Sequence, residues 1–339
     1  MKKIMLLCLS MVALLALGAI LLTRDAQHAA AQELDTWTAV APLPVPMGGG
    51  LVRCPDDPDG FYIVSGLMRK NQNSKFLFHY DINTDTWDRL KGMPNALRGG
   101  TSACYDGKIY VAGGTDLKAL FNTLYIYDIA ANSWSSGPAL PEPVVFAGLG
   151  VWNGKLYLMG GTHAFVSPSD RVDVYDIVSG VWTTNGAAPM LTAATSFARA
   201  QVGQYFYVVG GVGTDVNLTT TQRYDFIEGT WEYGPTFTSQ RAYSGLAASS
   251  THLYALGGDV EDGSGIFHAT DLVEVLDLSA WADGAWEVAS FTLPAANLFP
   301  PTTYTETLTC GEIWVVGGGL SAVETYAEVY FLPVGEGCP

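Results

Sequence analysis

The chain has 339 residues, of which 48% are hydrophobic and 15% are charged, and it contains 38 glycines. This composition argues against intrinsic disorder and suits a globular fold with a large core and many turns. The formal net charge is −16, and no basic stripe interrupts the acidic composition. Nucleic acid is therefore not expected as a partner, because an acidic surface repels a phosphate backbone.

The first 31 residues have the pattern of an export signal. Lys2 and Lys3 precede an apolar run at residues 4–22, and small residues follow at 29–31. A run of this length can also span a bilayer, so an uncleaved membrane anchor stays open as an alternative to a cleaved signal peptide. We expect an exported protein that is periplasmic, displayed on the cell surface or secreted, with residues 32–339 as its folded domain.

A short β-rich segment that ends in two small residues occurs six times. It reads FYIVSG, KIYVAGG, KLYLMGG, YFYVVGG, HLYALGG and EIWVVGGG. The second small residues are Gly66, Gly114, Gly161, Gly211, Gly258 and Gly318. A strand that runs into glycines can begin a phosphate-binding loop, but six copies without a following helix do not fit that interpretation. The doublets instead indicate an internal structural repeat.

Each of the first five repeats continues with an aromatic or apolar residue, an aspartate and then a tryptophan. The aspartates are Asp81, Asp128, Asp176, Asp225 and Asp277, and the tryptophans are Trp87, Trp134, Trp182, Trp231 and Trp286. The fifth repeat contains an insertion, and we align Trp286 with the other tryptophans in preference to Trp281. An aspartate before a tight turn can accept hydrogen bonds from nearby backbone N–H groups.

Four short β-rich runs are predicted in each repeat. In the second repeat they read GTSACY, KIYVAGG, TLYIYDI and SWSSG, and turn-forming dipeptides and tetrapeptides separate such runs along the chain. No segment outside the leader shows sustained helical periodicity. A four-stranded sheet that is apolar on both faces cannot bury them alone, so neighbouring sheets are expected to stack.

The joint recurrence of doublet, tyrosine and tryptophan over about residues 33–332 resembles the kelch motif. The resemblance implies an all-β, six-bladed kelch β-propeller in which each repeat forms one four-stranded blade. The sixth repeat ends without a tryptophan, whereas Trp37 stands near the N-terminus in the context ELDTWTAVAPLP. We predict that the strand around Trp37 completes the last blade and leaves no open sheet edge.

The resemblance also implies where a ligand would bind. In kelch propellers, the segments that enter the first strands and those that follow the doublets share one face, which commonly binds partners. Candidate ligand-binding residues are Arg98 and Arg241 before or within first strands, and Arg69, His163, Asp215, Asp259 and His268 after the doublets. The alternative explanation is that these residues are polar only because they lie in loops that contact solvent.

The expected function is that of a binding or interaction module for a protein or glycan ligand, acting as a monomer without cofactor or metal. A carbohydrate-modifying enzyme similar to the exported kelch epimerase of sialic acid is the alternative, although no acid–base pair is marked out. Similarity to copper-dependent galactose oxidase is weaker, because the adjacency of Cys104 and Tyr105 is not the required crosslink. The acidic turns DDPDG and DVEDG do not match an EF-hand calcium loop.

Four cysteines follow the leader: Cys54, Cys104, Cys310 and Cys338. An even number in an oxidising compartment predicts disulfides, although four cysteines allow three pairings. Their positions within the repeats favour Cys54 with Cys104 and Cys310 with Cys338.

Overall fold

The computed structural model describes residues 36–164, 167–261, 266–306, 311–321 and 324–334. The expected export segment and the predicted pair of Cys310 with Cys338 lie outside these residues. In the described ranges, no helix has both the length and the hydropathy to cross a membrane.

The described residues form six four-stranded antiparallel sheets, numbered here in chain order, each with strands paired in sequence order except the last. Sheet 1 contains Met47–Cys54, Asp57–Met68, Gln72–Asp81 and Thr86–Arg89. Sheet 2 contains Thr101–Tyr105, Lys108–Ala112, Leu124–Asp128 and Ser133–Ser136. Sheet 3 contains Gly148–Trp152, Lys155–Met159, Val172–Asp176 and Val181–Thr183. Sheet 4 contains Ala198–Val202, Tyr205–Val209, Thr221–Asp225 and Thr230–Tyr233. Sheet 5 contains Gly245–Ala248, His252–Leu256, Val273–Asp277 and Glu287–Val288. Sheet 6 contains Thr302–Glu306, Gly311–Val316, Val329–Val334 and Thr38–Val40.

The remaining regular elements are short and lie in connections. A two-stranded ribbon pairs Thr162–His163 with Ser167–Pro168. A three-stranded ribbon contains Arg241–Ala242, Asp259–Glu261 and Phe267–Ala269. The two 3-10 helices are Arg69–Asn71 and Leu278–Ala280.

Hydrophobic packing joins the six sheets into a closed ring. Six clusters of buried side chains are found in the described residues, and each cluster draws its members from two neighbouring sheets. The cluster between sheets 6 and 1 places the ring centroids of Trp314 and Phe61 5.5 Å apart. Each sheet therefore buries both of its apolar faces against neighbours, as the repeat pattern predicts.

The N-terminal strand completes sheet 6, which confirms the predicted closure. Thr38–Val40 pairs with Val329–Val334 in antiparallel register, with Thr38 opposite Phe331 and Val40 opposite Val329. The outer edge of sheet 6 is thereby built from the opposite end of the chain, so unfolding of either terminal segment would open the ring.

The repeated aspartates cap the turns between third and fourth strands, as predicted. Asp81 Oδ1 accepts a hydrogen bond of 3.0 Å from the Thr84 amide, and Asp128 Oδ1 accepts one of 2.8 Å from Ala131. These bonds satisfy turn N–H groups that the sheet leaves unpaired.

Candidate functional site

One end of the ring carries the glycine doublets, and we call it the doublet face. The connections from second to third strands and from fourth strands to the next sheet both lie there, because strand direction alternates within each sheet. Gly113 and Gly114 have φ angles of +67° and +106°, and a Cβ on Gly113 would overlap the Val144 carbonyl oxygen. The doublets thus allow a sharp strand exit and close backbone contact between sheets, and they are not ligand loops.

A central cavity of about 850 Å³ runs along the first strands of the sheets. Its lining extends from Phe146 and Phe299 near the doublet face to Asn153 and Gly203 in the turns at the opposite end. Among the described lining residues, the charged side chains are Arg53, Arg98 and Arg199, with no carboxylate and no histidine. The cavity is therefore cationic although the chain as a whole is acidic.

A belt of backbone hydrogen bonds surrounds the cavity mouth on the doublet face. Its members precede the first strands of sheets 2 to 6 and are Gly99, Phe146, Ser196, Tyr243 and Phe299. The amide of each belt residue in sheets 3 to 6 donates to the carbonyl of the preceding belt residue, at 2.7 to 3.1 Å. All five have φ between +53° and +66°, a conformation that is costly for a bulky L-residue.

Three aromatic rings stand on this belt. The centroids of Tyr243 and Phe299 are 4.6 Å apart, and those of Phe146 and Tyr243 are 6.4 Å apart, both in edge-to-face arrangements. Burial raises the pKa of the Tyr243 hydroxyl, while a hydrogen bond with Ser196 opposes that rise. The mouth is thus an aromatic, partly buried surface with one hydroxyl, of the kind that packs against apolar or sugar rings.

The structure places Arg98 at the rim of the cavity but holds its guanidinium in protein contacts. Nη1 donates to Asn71 Oδ1 at 2.5 Å, Nη2 donates to the Asn71 carbonyl at 2.6 Å, and Nε donates to Asn73. Burial lowers the pKa of this guanidinium. Arg98 therefore orders the loop that follows the first doublet, and a ligand contact by Arg98 stays a prediction.

Arg241 lies in the interior, where its position argues against the predicted ligand contact. Its side chain is 0% exposed, and Nη2 forms an ion pair with Glu274, which is also 0% exposed. The guanidinium lies 5.0 Å from the centroid of the Phe237 ring. An arginine before a first strand can thus face between two sheets, which repeat alignment alone does not reveal.

The other predicted residues are spread around the doublet face. Arg69 is exposed, and its Nε lies 3.4 Å from the Thr325 carbonyl. His163 lies near the carbonyl of Pro143 at 3.1 Å and near Glu142 at 3.6 Å, and burial lowers its pKa. His163 and Arg69 lie in different loops, and their contacts do not join them in one pocket.

Asp259 is the more enclosed of the two predicted carboxylates. Its Oδ1 accepts hydrogen bonds from Asn217 Nδ2 at 3.0 Å and from the Ala242 amide at 3.1 Å, and burial raises its pKa. Asp215 and His268 are exposed in neighbouring loops. Asp259 therefore joins the loops of sheets 4 and 5, whereas ligand roles for all three stay predictions.

Sequence reasoning overlooked Arg199, which lines the central cavity. A partial signal was available: eleven residues before the first glycine of the doublet, the third and fifth repeats carry Leu149 and Leu246 where the fourth carries Arg199.

One of the two predicted disulfides lies within the described residues. Cys54 and Cys104 form the predicted disulfide, which joins the first strands of sheets 1 and 2 across a Cα–Cα distance of 5.1 Å. No cluster of three or more His, Cys, Asp or Glu side chains suited to a metal occurs in the described ranges.

A closed ring of four-stranded antiparallel sheets around a central cavity defines a β-propeller. The chain belongs to the kelch-repeat family, because a family model described as the KLHDC2/KLHL20/DRC7 Kelch-repeats domain matches residues 51–258. A solved structure titled "Structure of YjhT" is similar with a TM-score of 0.73 and 17% sequence identity, and the match covers 88% of this chain and 97% of that chain. At this identity the likeness shows the fold alone. A search of curated proteins by sequence found no match.

Proposed function

We propose that the protein is an exported interaction module that binds a protein or glycan ligand through its doublet face. The chain contains a kelch-type repeat domain, and domains of this type mediate protein interactions. The N-terminal segment, with two lysines before a long apolar run, supports export.

The observation that carries this proposal is a set of apolar side chains at the tips of loops after the doublets. Leu117, Val216, Ile266, Phe267 and Leu320 belong to loops of four different sheets, and all are between 41% and 61% exposed. Exposed apolar groups on several loops of one face are typical of a protein interaction surface. Leu117 also has a φ of +78°, a conformation that is costly for a leucine.

The aromatic belt extends this surface toward the cavity. Tyr243 and the neighbouring phenylalanines would pack against an apolar side chain or a sugar ring presented at the mouth. Catalysis is less well supported, because the described cavity lining contains no carboxylate or histidine that could serve as an acid–base pair.

Selection from a random peptide display library and from a glycan array tests the proposal. The test protein carries Leu117→Ser, Val216→Ser and Phe267→Ser together. The matched control carries Val178→Ser and Ile227→Ser, which are exposed in turns at the opposite end. We expect peptides or glycans selected on the unmodified protein to lose binding to the first variant and to keep binding to the control. Equal binding to both variants would show that the doublet face is not the interaction surface.

A further inference from the structure

Among the described residues, the central cavity contains one cation, Arg199, for which no protein partner is found. Arg199 is the second residue of the first strand of sheet 4, lies opposite Val208 and lines the cavity. Within the described part of the chain, its guanidinium forms no hydrogen bond and no ion pair. Burial alone lowers the pKa of Arg199 to about 10, with no carboxylate opposing that shift.

The other two arginines that line the cavity form hydrogen bonds within the protein. Arg98 donates to Asn71 and Asn73 through three nitrogen atoms. Arg53 donates to the Pro58 carbonyl at 2.5 Å and lies in the electrostatic field of nearby carboxylates. Arg199 is thus the lining arginine whose charge and donors are available to a bound molecule.

Arg199 belongs to a layer of equivalent positions around the cavity. In each sheet, the second strand leads into the doublet. The first-strand residue that pairs with the second-strand position two residues before the doublet lines the cavity. These first-strand residues are Leu51, Ser102, Leu149, Arg199, Leu246 and Thr302. The layer that contains Arg199 therefore includes three leucines, two of them in the neighbouring sheets 3 and 5. The Ser102 hydroxyl in the same layer is buried and has no hydrogen-bond partner.

Arg199 is half-buried in this layer, and partial burial of a charge without a protein partner carries a cost to the fold. Moving a charge from water toward apolar side chains without a partner is unfavourable, and a leucine at this position would match the layer. Ionisable groups that burial perturbs cluster at functional sites, so Arg199 is a candidate ligand contact.

We propose that the central cavity binds a small organic acid, with its carboxylate on Arg199 and its apolar part against Leu149 and Leu246. A guanidinium presents paired N–H donors that match the two oxygens of a carboxylate. The Ser102 hydroxyl supplies a further donor at the same level. One uncompensated positive charge fits a monoanion better than a phosphate, which carries nearly two negative charges at neutral pH. This site is separate from the loop tips of the doublet face and does not depend on their role.

Calorimetric titration with a matched pair of probes tests the assignment. Cyclohexanecarboxylate carries the charge and an apolar ring, whereas cyclohexanecarboxamide keeps the shape without the charge. We expect the acid to bind and the amide to bind at least about tenfold more weakly, which corresponds to one lost charge-assisted contact. Arg199→Gln should abolish that preference, whereas Arg89→Gln, at an exposed position in the outer strand of sheet 1, should keep it.

Three results would overturn the proposal: no binding of the acid, equal binding of acid and amide, or undiminished acid binding by Arg199→Gln. Tighter binding of inorganic phosphate than of the acid would overturn the assignment to a carboxylate. Thermal unfolding of Arg199→Leu without ligand separates ligand binding from a structural role. We expect an unchanged or raised melting temperature, because leucine fits the layer, and a lowered one would show that the guanidinium serves the fold instead.

Discussion

The indole Nε1 of Trp37 donates a hydrogen bond of 2.7 Å to the carbonyl of Thr292, which lies 255 residues later in the chain. The repeated tryptophans of the other sheets make the same kind of bond, each to a carbonyl that follows the outer strand of the preceding sheet. These pairs are Trp87 with Ala41, Trp134 with Lys91, Trp182 with Pro138, Trp231 with Ala188 and Trp286 with Pro235. Indole hydrogen bonds therefore link each sheet to the preceding one, and the bond of Trp37 links sheet 6 to sheet 5.

Removal of the closing strand is expected to destabilise the whole ring. Deletion of residues 36–42 removes the pairing with Val329–Val334 and exposes the edge of sheet 6. We expect a markedly lower melting temperature in calorimetry and concentration-dependent association in size-exclusion chromatography. Trp37→Phe, which removes the indole donor and keeps an aromatic ring, should lower stability by about 1 kcal/mol. An unchanged melting curve for the deletion would contradict the closure.

Loss of the disulfide between sheets 1 and 2 is expected to cost about 2–4 kcal/mol, because the bridge restricts the unfolded chain. The double variant Cys54→Ala, Cys104→Ala should unfold at lower urea concentration than the unmodified protein. Thiol titration of the unreduced, unfolded protein provides the direct check: the Cys54 and Cys104 thiols should react only after reduction, and their reaction beforehand would exclude the bridge.

The buried pair of Arg241 and Glu274 is expected to respond differently to single and double substitution. Arg241→Met leaves a buried carboxylate without its cation and should cost about 3–5 kcal/mol. Adding Glu274→Leu removes that carboxylate and should recover most of the loss, because an apolar pair of similar volume replaces the ion pair. Equilibrium unfolding in urea measures both values. A double variant as unstable as Arg241→Met would refute this account.

His163 is expected to make stability depend on pH below about 6.5, the ordinary pKa of its ring. Burial lowers the folded-state pKa, so the unfolded chain binds the proton more tightly than the folded chain. Stability should therefore fall as pH decreases from about 6.5 toward the folded-state pKa. We expect His163→Gln to lose less melting temperature than the unmodified protein between pH 7 and pH 5. An equal loss in both proteins would exclude this contribution.

The class of fold could be predicted because the same short sequence pattern recurs along the chain. A doublet, a tyrosine and a tryptophan at nearly constant offsets indicate one sheet each, and the unmatched Trp37 indicates the closing strand. The pairing of Cys54 with Cys104 followed from their equivalent places in neighbouring repeats. These features depend on local pattern and on the need to bury both faces of every sheet.

The site could be predicted only in outline. Repeat position placed Arg98 near the cavity rim, but its bonds to Asn71 and Asn73 depend on how a distant loop folds back. Arg241 occupies a comparable place in its repeat, yet its side chain meets Glu274 in the interior. Side-chain direction at a strand entry depends on the local backbone and on which polar groups neighbouring sheets supply, and neither is encoded at that position alone.

By itself, the sequence determined the repeated sheets, their order and the strand that closes the ring, because short-range spacing and apolar periodicity are sufficient for these features. Only the tertiary structure decided which arginines have a hydrogen-bond or ion-pair partner. The six first strands line one cavity from positions as far apart as Leu51 and Thr302. This arrangement puts Arg199 in a layer that contains three leucines, with no carboxylate partner in the described residues. Such an environment arises from all six sheets together, because each sheet contributes a single residue to that layer.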